Sequence, residues 1–333
     1  MLYEENGGVS PRNERNNTME KIENMFVIDG HCDSIQKVDE GQFGIVNPYN
    51  YSRKYPQLQF VAMFCGRPKE DSEQSYNRAL RYIAQFKIHM ETEKDRVVQC
   101  RTYEDIERAF AAGKHGAMLT VEGATGLKGS VSVLDDFYAA GVRVMGLAWL
   151  SNDLAKSNRI AEGEEDTGLT DTGREIVEEG NRLGMIFDVS HLSDKSFWDL
   201  AEISKKPIVA THSNLRSLAS HTRNLTEDMA VKIAESDGMI GLNLCTSFID
   251  DNKENRTVAR LFEHLDRFIE LTGEDHIGFG GDVDGIGAYP APLTKDDSIH
   301  DQLIEFMLSH NYSEALVRKV AGENWMNFLR KYL

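Results

Sequence analysis

Six side chains of the types that bind divalent cations or carry protons stand where apolar runs of the 333-residue chain end: His31 and Asp33, Glu122, His191, His212 and Asp282. The first pair ends the stretch Phe26-Val-Ile-Asp-Gly-His-Cys-Asp33. The apolar run suits a buried strand, Gly30 marks a turn, and His31 and Asp33 sit two apart, so an extended backbone aims both the same way while Cys32 faces oppositely. Imidazole and carboxylate aimed at one point form half of a metal site. Taken singly, each residue has an ordinary reading. A strand-end His is commonly a hydrogen-bonded core residue, Glu122-Gly123 can be a turn, and Asp282 can cap a helix or a turn, as its neighbour Asp284 is expected to do. Taken together they exceed what one four-coordinate zinc uses. A shared Glu122 resolves the excess: His31, Asp33 and Glu122 hold one metal, and Glu122, His191 and His212 the other. Two such ions roughly 3.5–4 Å apart bind and deprotonate a bridging water and polarise the carbonyl it attacks. The other histidines (His89, His115, His221, His264, His276, His300 and His310) fall on predicted helices or helix–strand loops and read as structural or exposed.

The elements that must bring these residues together alternate along the chain. Strands are expected over the run before His31, Leu58–Phe64, Ala117–Val121, Val142–Ala148, Met185–Ser190, Pro207–Thr211, Met239–Asn243 and Ile277–Gly281. Helical spacing places helices at about 72–94, 103–112, 133–140, 172–183, 193–204, 226–236, 257–272, 298–309, 313–320 and 324–332, with Ser193 and Thr226 as N-caps. Residues 41–56 read as a polar connection, and 151–170 as a long polar loop forming a lid or rim. Strictly repeated strand–helix units imply a parallel sheet, and eight of them close into a (β/α)8 TIM-type barrel whose metal site lies at the C-terminal ends of the strands. An open doubly wound sheet would need a glycine-rich phosphate turn, and neither GxGxxG nor GxxxxGK[ST] occurs.

Composition narrows the class. An apolar fraction of 41% is that of a globular chain, and no apolar run reaches the roughly 18 residues of a membrane span. The net charge of −17 argues against nucleic acid or an anionic membrane as partner. Four scattered cysteines without CxxC spacing disfavour a zinc knuckle or disulfide scaffold and suit a reducing, cytoplasmic setting. Met1 to Met19 is polar and has no secretory h-region. Residues 1–22 are expected to be a disordered leader or an added extension, with Met19 a candidate start, and residues 23–333 one hydrolase domain.

The segments Asp29-Gly-His-Cys-Asp33, Val121-Glu-Gly123, Asp188-Val-Ser-His-Leu-Ser193, Ala210-Thr-His-Ser-Asn214, Arg223-Asn-Leu225 and Gly278-Phe-Gly-Gly-Asp-Val-Asp-Gly285 occur in the order of the membrane (renal) dipeptidase family, peptidase family M19, of the amidohydrolase-like metal-dependent hydrolases. The chain resembles that family from residue 26 to Gly322-Glu-Asn324. The opening His-x-Asp, where most of the superfamily carries His-x-His, is its sharpest mark. The resemblance implies a binuclear zinc dipeptidase with two Zn2+ per chain bridged by Glu122 and a water or hydroxide. Asp282 is implied as the acid/base that passes a proton from that water to the leaving amine, and Arg223 as the grip on the substrate's C-terminal carboxylate. Short dipeptides, with a D-residue tolerated at the C-terminal position, are the implied substrates, and a homodimer is compatible with the family. One departure stands out: Trp149 occupies the position after the fourth strand where mammalian members carry a substrate-contacting His, which leaves oxyanion stabilisation mainly to the metals. The mammalian secretion signal and glycolipid anchor are not matched. Alternative expectations are a lactonase or N-acyl-amino-acid hydrolase on the same metals, or a metal-binding protein without turnover.

Overall fold

The computed structural model describes residues 25–38, 55–160, 162–294 and 299–333. The expected leader, nearly all of the polar connection and the start of the helix near residue 298 lie outside the described residues. Eight parallel strands form one sheet: β1 (Val27–Cys32), β2 (Gln57–Phe64), β3 (Val97–Gln99), β4 (His115–Glu122), β5 (Val142–Gly146), β6 (Ile186–Asp188), β7 (Ile240–Leu242) and β8 (Ile277–Phe279). Their order is β6-β5-β4-β2-β1-β8-β7, with β3 paired to the start of β4. The sheet closes between β6 and β7 through single bridges, Asp188 to Val209 and Ala210 to Ile240. The result is a (β/α)8 barrel in which residues 209–210 take the eighth position.

Three expectations are corrected. The predicted strand Pro207–Thr211 is reduced to those bridges, because beyond Ala210 the backbone turns to side chains: Thr211 N donates to Asp188 Oδ1 at 2.9 Å and His212 N to Ser190 Oγ at 3.2 Å. The short β3 went unseen, three residues being too few for a period. Gly30 makes no turn. It lies inside β1, where a Cβ would come 2.7 Å from the Thr211 carbonyl oxygen and 2.9 Å from the Trp325 ring. The helices follow expectation closely, including the caps: Ser193 Oγ accepts from Ser196 N and Thr226 Oγ1 from Met229 N. The last two expected helices are joined by a π-helical turn over Lys319–Glu323.

The apolar residues form two buried layers. Inside the barrel, Ile28, Leu58, Phe60, Met118, Val144, Ile186, Val209 and Met239 pack around Trp325 from the C-terminal helix Asn324–Tyr332. Alternate strand residues such as Val27, Val61, Leu119 and Phe187 join the layer beneath the helices. That alternation is the period of two of a strand, and it carries Glu122, four residues after Met118, to the inner face at the barrel mouth. Trp325 is fully buried and its Nε1 donates to the Phe279 carbonyl at 3.1 Å. Trp325→Ala should lower the free energy of unfolding by about 3–5 kcal/mol in urea titration; a loss below about 1 kcal/mol would mean that the indole is not the barrel's central packing unit.

Candidate metal centre

His31 reaches the barrel mouth because β1 is irregular. Its pairing with β2 slips between Asp29 and Cys32, the signature of a bulge, which re-aims the following side chains. Ile28 therefore faces the interior, while after the slip His31 and Asp33 face the mouth and Cys32 joins the outer layer. Asp29 holds the slip in place. Its fully buried carboxylate accepts from His31 N at 2.9 Å, from Gly281 N at 3.0 Å and from His300 Nε2 at 2.5 Å. Burial alone would raise the Asp29 pKa, but the His300 interaction and the two backbone donors bring it below the ordinary value.

The remaining members arrive from other strand ends. Glu122 ends β4; His191 follows β6 and His212 follows the bridge at 209–210. Asp282 follows β8 in a left-handed conformation (φ 54°), and its Oδ2 accepts from Asn243 Nδ2 at 3.1 Å. Gly285 makes room there: a Cβ on it would lie 2.0 Å from Asp33 Oδ2 and 2.3 Å from Asp282 Oδ1. Glu122 Oε1 stands 2.8 Å from His191 Nε2, 3.7 Å from His212 Nε2 and 3.8 Å from His31 Nε2. Three triads bring their donor atoms within 4.8 Å of one another: His31, Asp33 and Glu122; Glu122, His191 and His212; and His31, His212 and Asp282. All six residues are buried. The structure thus brings together every expected member of the cluster. Arg223 is buried beside it, its Nη1 donating to the Ser190 carbonyl and its Nε without a hydrogen-bond partner.

The electrostatics fit divalent cations. Burial pushes Glu122 well above the carboxylate range, with Asp33 adding repulsion, and burial also raises Asp282 to about 6. Burial alone would depress His31, but the facing Glu122, Asp33 and Asp282 carboxylates lift it to about 10. Burial, aided by the charges of Arg223 and His31, holds His191 and His212 far below the usual imidazole value, so both are neutral donors at pH 7. The His31 Nε2 and His191 Nδ1 atoms are buried without hydrogen-bond partners. A divalent cation would neutralise carboxylates crowded into a dry site.

Sequence reasoning missed the groups behind His212. Asp188 Oδ2 accepts from Thr211 Oγ1 at 2.6 Å, and Thr211 Oγ1 lies 2.8 Å from His212 Nδ1. With its proton given to Asp188, the hydroxyl accepts from Nδ1–H and leaves the His212 Nε2 lone pair for the cluster. The available signal was an acidic residue inside the apolar run Met185–Val189. His300 gave no signal beyond its place on a helix, and His115, expected on a helix or loop, begins β4 and accepts from Gln57 N through Nδ1 at 3.2 Å.

The chain is similar to known proteins over nearly its whole length. The family model described as membrane dipeptidase (peptidase family M19) matches residues 16–332. A protein of Klebsiella pneumoniae described as an uncharacterized protein in the pqqA 5' region is 34% identical over 243 residues, covering 69% of this chain and 87% of that protein. Dipeptidase tcpJ of Claviceps purpurea is 31% identical over 242 residues, 73% of this chain and 57% of its own length, so the chain spans little more than half of that relative. The crystal structure of a metallopeptidase from Rhodobacter sphaeroides, liganded with a phosphinate mimic of the dipeptide L-Ala-D-Ala, superposes with a TM-score of 0.83 at 28% identity, covering 93% of this chain and all of that one.

Two outcomes test the centre. Because His31 is raised from 6.5 to about 10 without metal, it is protonated at pH 7 and must lose that proton on ligation, so zinc binding at pH 7 should release about one proton or more per chain. Calorimetry in buffers of different ionisation enthalpy measures this, and zero release would remove His31 from the ligand set. Thr211→Val should weaken zinc binding about 10–100-fold in chelator competition while Thr211→Ser restores it; an unchanged affinity would show that the hydroxyl does not orient His212.

Proposed function

This chain belongs to the membrane dipeptidase family, peptidase family M19, and from that premise we propose that it is a binuclear zinc dipeptidase cleaving the peptide bond of short L-Xaa-L-Xaa and L-Xaa-D-Xaa dipeptides. The observation that carries the reading is the convergence of three strand-end imidazoles, His31, His191 and His212, on a single Glu122 oxygen. In this reading His31, Asp33 and Glu122 would hold one zinc, and Glu122, His191 and His212 the second, with Glu122 shared between the two sets. Bound zinc supplies Lewis acidity toward the scissile carbonyl and acidifies the attacking water.

The chain's own residues do the rest. Asp282 is the proton carrier, taking a proton from the attacking water and delivering it to the leaving amine. Its hydrogen bond from Asn243 and its left-handed backbone fix the carboxylate over the cluster. Arg223 receives the substrate's C-terminal carboxylate through its unpartnered Nε and neighbouring donors, a planar fork suited to that group. Binding one end of the peptide in this way sets the amide over the cluster and limits cleavage to short substrates. Tolerance of a D-residue is supported by the L-Ala-D-Ala mimic in the Rhodobacter relative. Residues 23–333 are assigned to one catalytic domain. A cytoplasmic location is supported by the four free cysteines; no described helix is long and apolar enough to cross a membrane. A homodimer remains a proposal from family membership alone.

The test is metal analysis joined to a panel of L,L- and L,D-dipeptides, lactones and N-acyl amino acids. About two zinc ions per chain and fastest turnover of dipeptides are expected. Faster turnover of lactones or acyl amino acids would replace the reading with another amidohydrolase-type activity. Asp282→Ala should lower kcat by about 10²–10⁴ at unchanged zinc content, and retained activity would sink the assigned mechanism.

A further inference from the structure

Two arginines stand beside the cluster without a carboxylate partner. Several surface arginines elsewhere are paired with carboxylates, Arg108 with Asp105, Arg182 with Glu179, Arg216 with Asp194 and Arg267 with Glu227. Arg223 is buried against Phe248, its guanidinium carbon 5.3 Å from the ring centre, and the acceptor its guanidinium meets among the described residues is the Ser190 backbone carbonyl. Arg159 is exposed on the loop of residues 151–170, and its guanidinium lies 3.8 Å over the Trp149 ring with no carboxylate at ion-pair distance among the described residues. What sets these two apart, in a chain of net charge −17, is that both stand beside the buried carboxylate cluster and feel each other's charge.

The loop does not leave Arg159 free to wander. Ser157 Oγ donates to the Trp149 carbonyl at 2.9 Å and accepts from Arg159 N at 3.0 Å. Asn158 N donates to the His191 carbonyl at 3.0 Å, and Asn158 Nδ2 to the Ser190 carbonyl at 3.2 Å. That Ser190 oxygen is the same one that accepts from Arg223. Both arginines are therefore fastened around the turn that carries His191. Trp149 places Arg159 at the mouth, its ring centre 4.6 Å from Phe64 and 5.9 Å from His191. The charge of Arg159 is felt by Glu122, Asp282, Arg223, His191 and His221. A guanidinium held over an indole face by cation–π attraction keeps N–H donors for a second partner.

We propose that Arg159, held on Trp149, is a specificity-determining residue that selects dipeptides whose C-terminal residue is Asp or Glu. The inference rests on the dipeptidase reading, in which Arg223 holds the α-carboxylate. A free N-terminal ammonium is repelled by Arg159, so the chemistry that suits it is a second carboxylate. The acidic side chain of the C-terminal residue carries one, its carboxylate carbon a few bonds from that of the α-carboxylate, within reach of a second, neighbouring guanidinium group. The Trp149 position, where family members with a His differ from this chain, thereby gains a role as the platform for that cation.

The experiment compares kcat/KM for Ala–Asp and Ala–Glu, with C-terminal residues of both hands, against the isosteric Ala–Asn and Ala–Gln in native, Arg159→Met and Arg159→Glu proteins. The native enzyme should favour the acid over its amide by about tenfold or more. Arg159→Met should bring the ratio near one, and Arg159→Glu should invert it and favour C-terminal Lys. Calorimetric binding of the products aspartate and asparagine to the zinc-loaded proteins should show the same ratios without turnover. Ala–Ala cleaved with no acid preference, or a preference that survives Arg159→Met, overturns this proposal and leaves the dipeptidase reading standing. No cleavage of any dipeptide, Ala–Ala included, overturns both.

Discussion

The Asp29 carboxylate is the constraint on which the site depends. It is fully buried, yet it is anchored by His300 from a helix, by the His31 backbone of its own strand and by Gly281 of β8. A buried carboxylate without such partners would be strongly unfavourable, so these four groups hold one another. The hydrogen bond to His31 N, two residues on, draws the backbone into the slip that turns His31 and Asp33 toward the mouth. The bond to Gly281 N fixes where β8 ends, and with it the position of Asp282. One side chain beneath the cluster thus sets both of its flanks while touching none of its donor atoms.

Asp188 repeats the device across the barrel. It too accepts from the backbone two residues on, Ser190 N at 3.0 Å, and from Thr211 N and Oγ1. Strand geometry alone ends in side chains alternating on a pleated surface. Asp29 within β1 and Asp188 at the end of β6 divert the backbone locally, so that residues close in sequence converge instead. The cost is a broken ladder, seen as the slip in β1 and as bridges in place of a strand at 209–210.

How much of this was legible follows from the same physics. Buried parallel strands read as continuous apolar runs, so the strand ends, and the six residues set on them, stood out as sequence. The barrel followed from their alternation with helices. What sequence could not carry was tertiary. Gly30 looked like a turn because its need for a bare Cα comes from Thr211 and Trp325, remote in sequence. His300 had no local pattern to separate it from an exposed helical histidine. Thr211 looked like one more β-branched strand residue, although its amide and hydroxyl both serve Asp188. Arg159 lay in a polar loop, where nothing local distinguishes a solvated arginine from one stacked on a distant tryptophan.

The charge pattern explains why so acidic a chain has a mouth of mixed sign. Three carboxylates face inward at the cluster, where burial and mutual repulsion leave them in need of positive charge. Arg223 and Arg159 are close enough to be felt by Glu122 and Asp282, yet neither forms an ion pair with them. Had either arginine closed onto Glu122, its charge would be spent and the carboxylate lost to metal. Instead, the Ser190 carbonyl holds Arg223 and the Trp149 ring holds Arg159, both neutral partners that restrain a cation without neutralising it. In the proposed function, carboxylates meant for metal and guanidinium groups meant for a substrate's acid can therefore sit side by side without cancelling, because the two arginines are restrained by groups that carry no opposing charge.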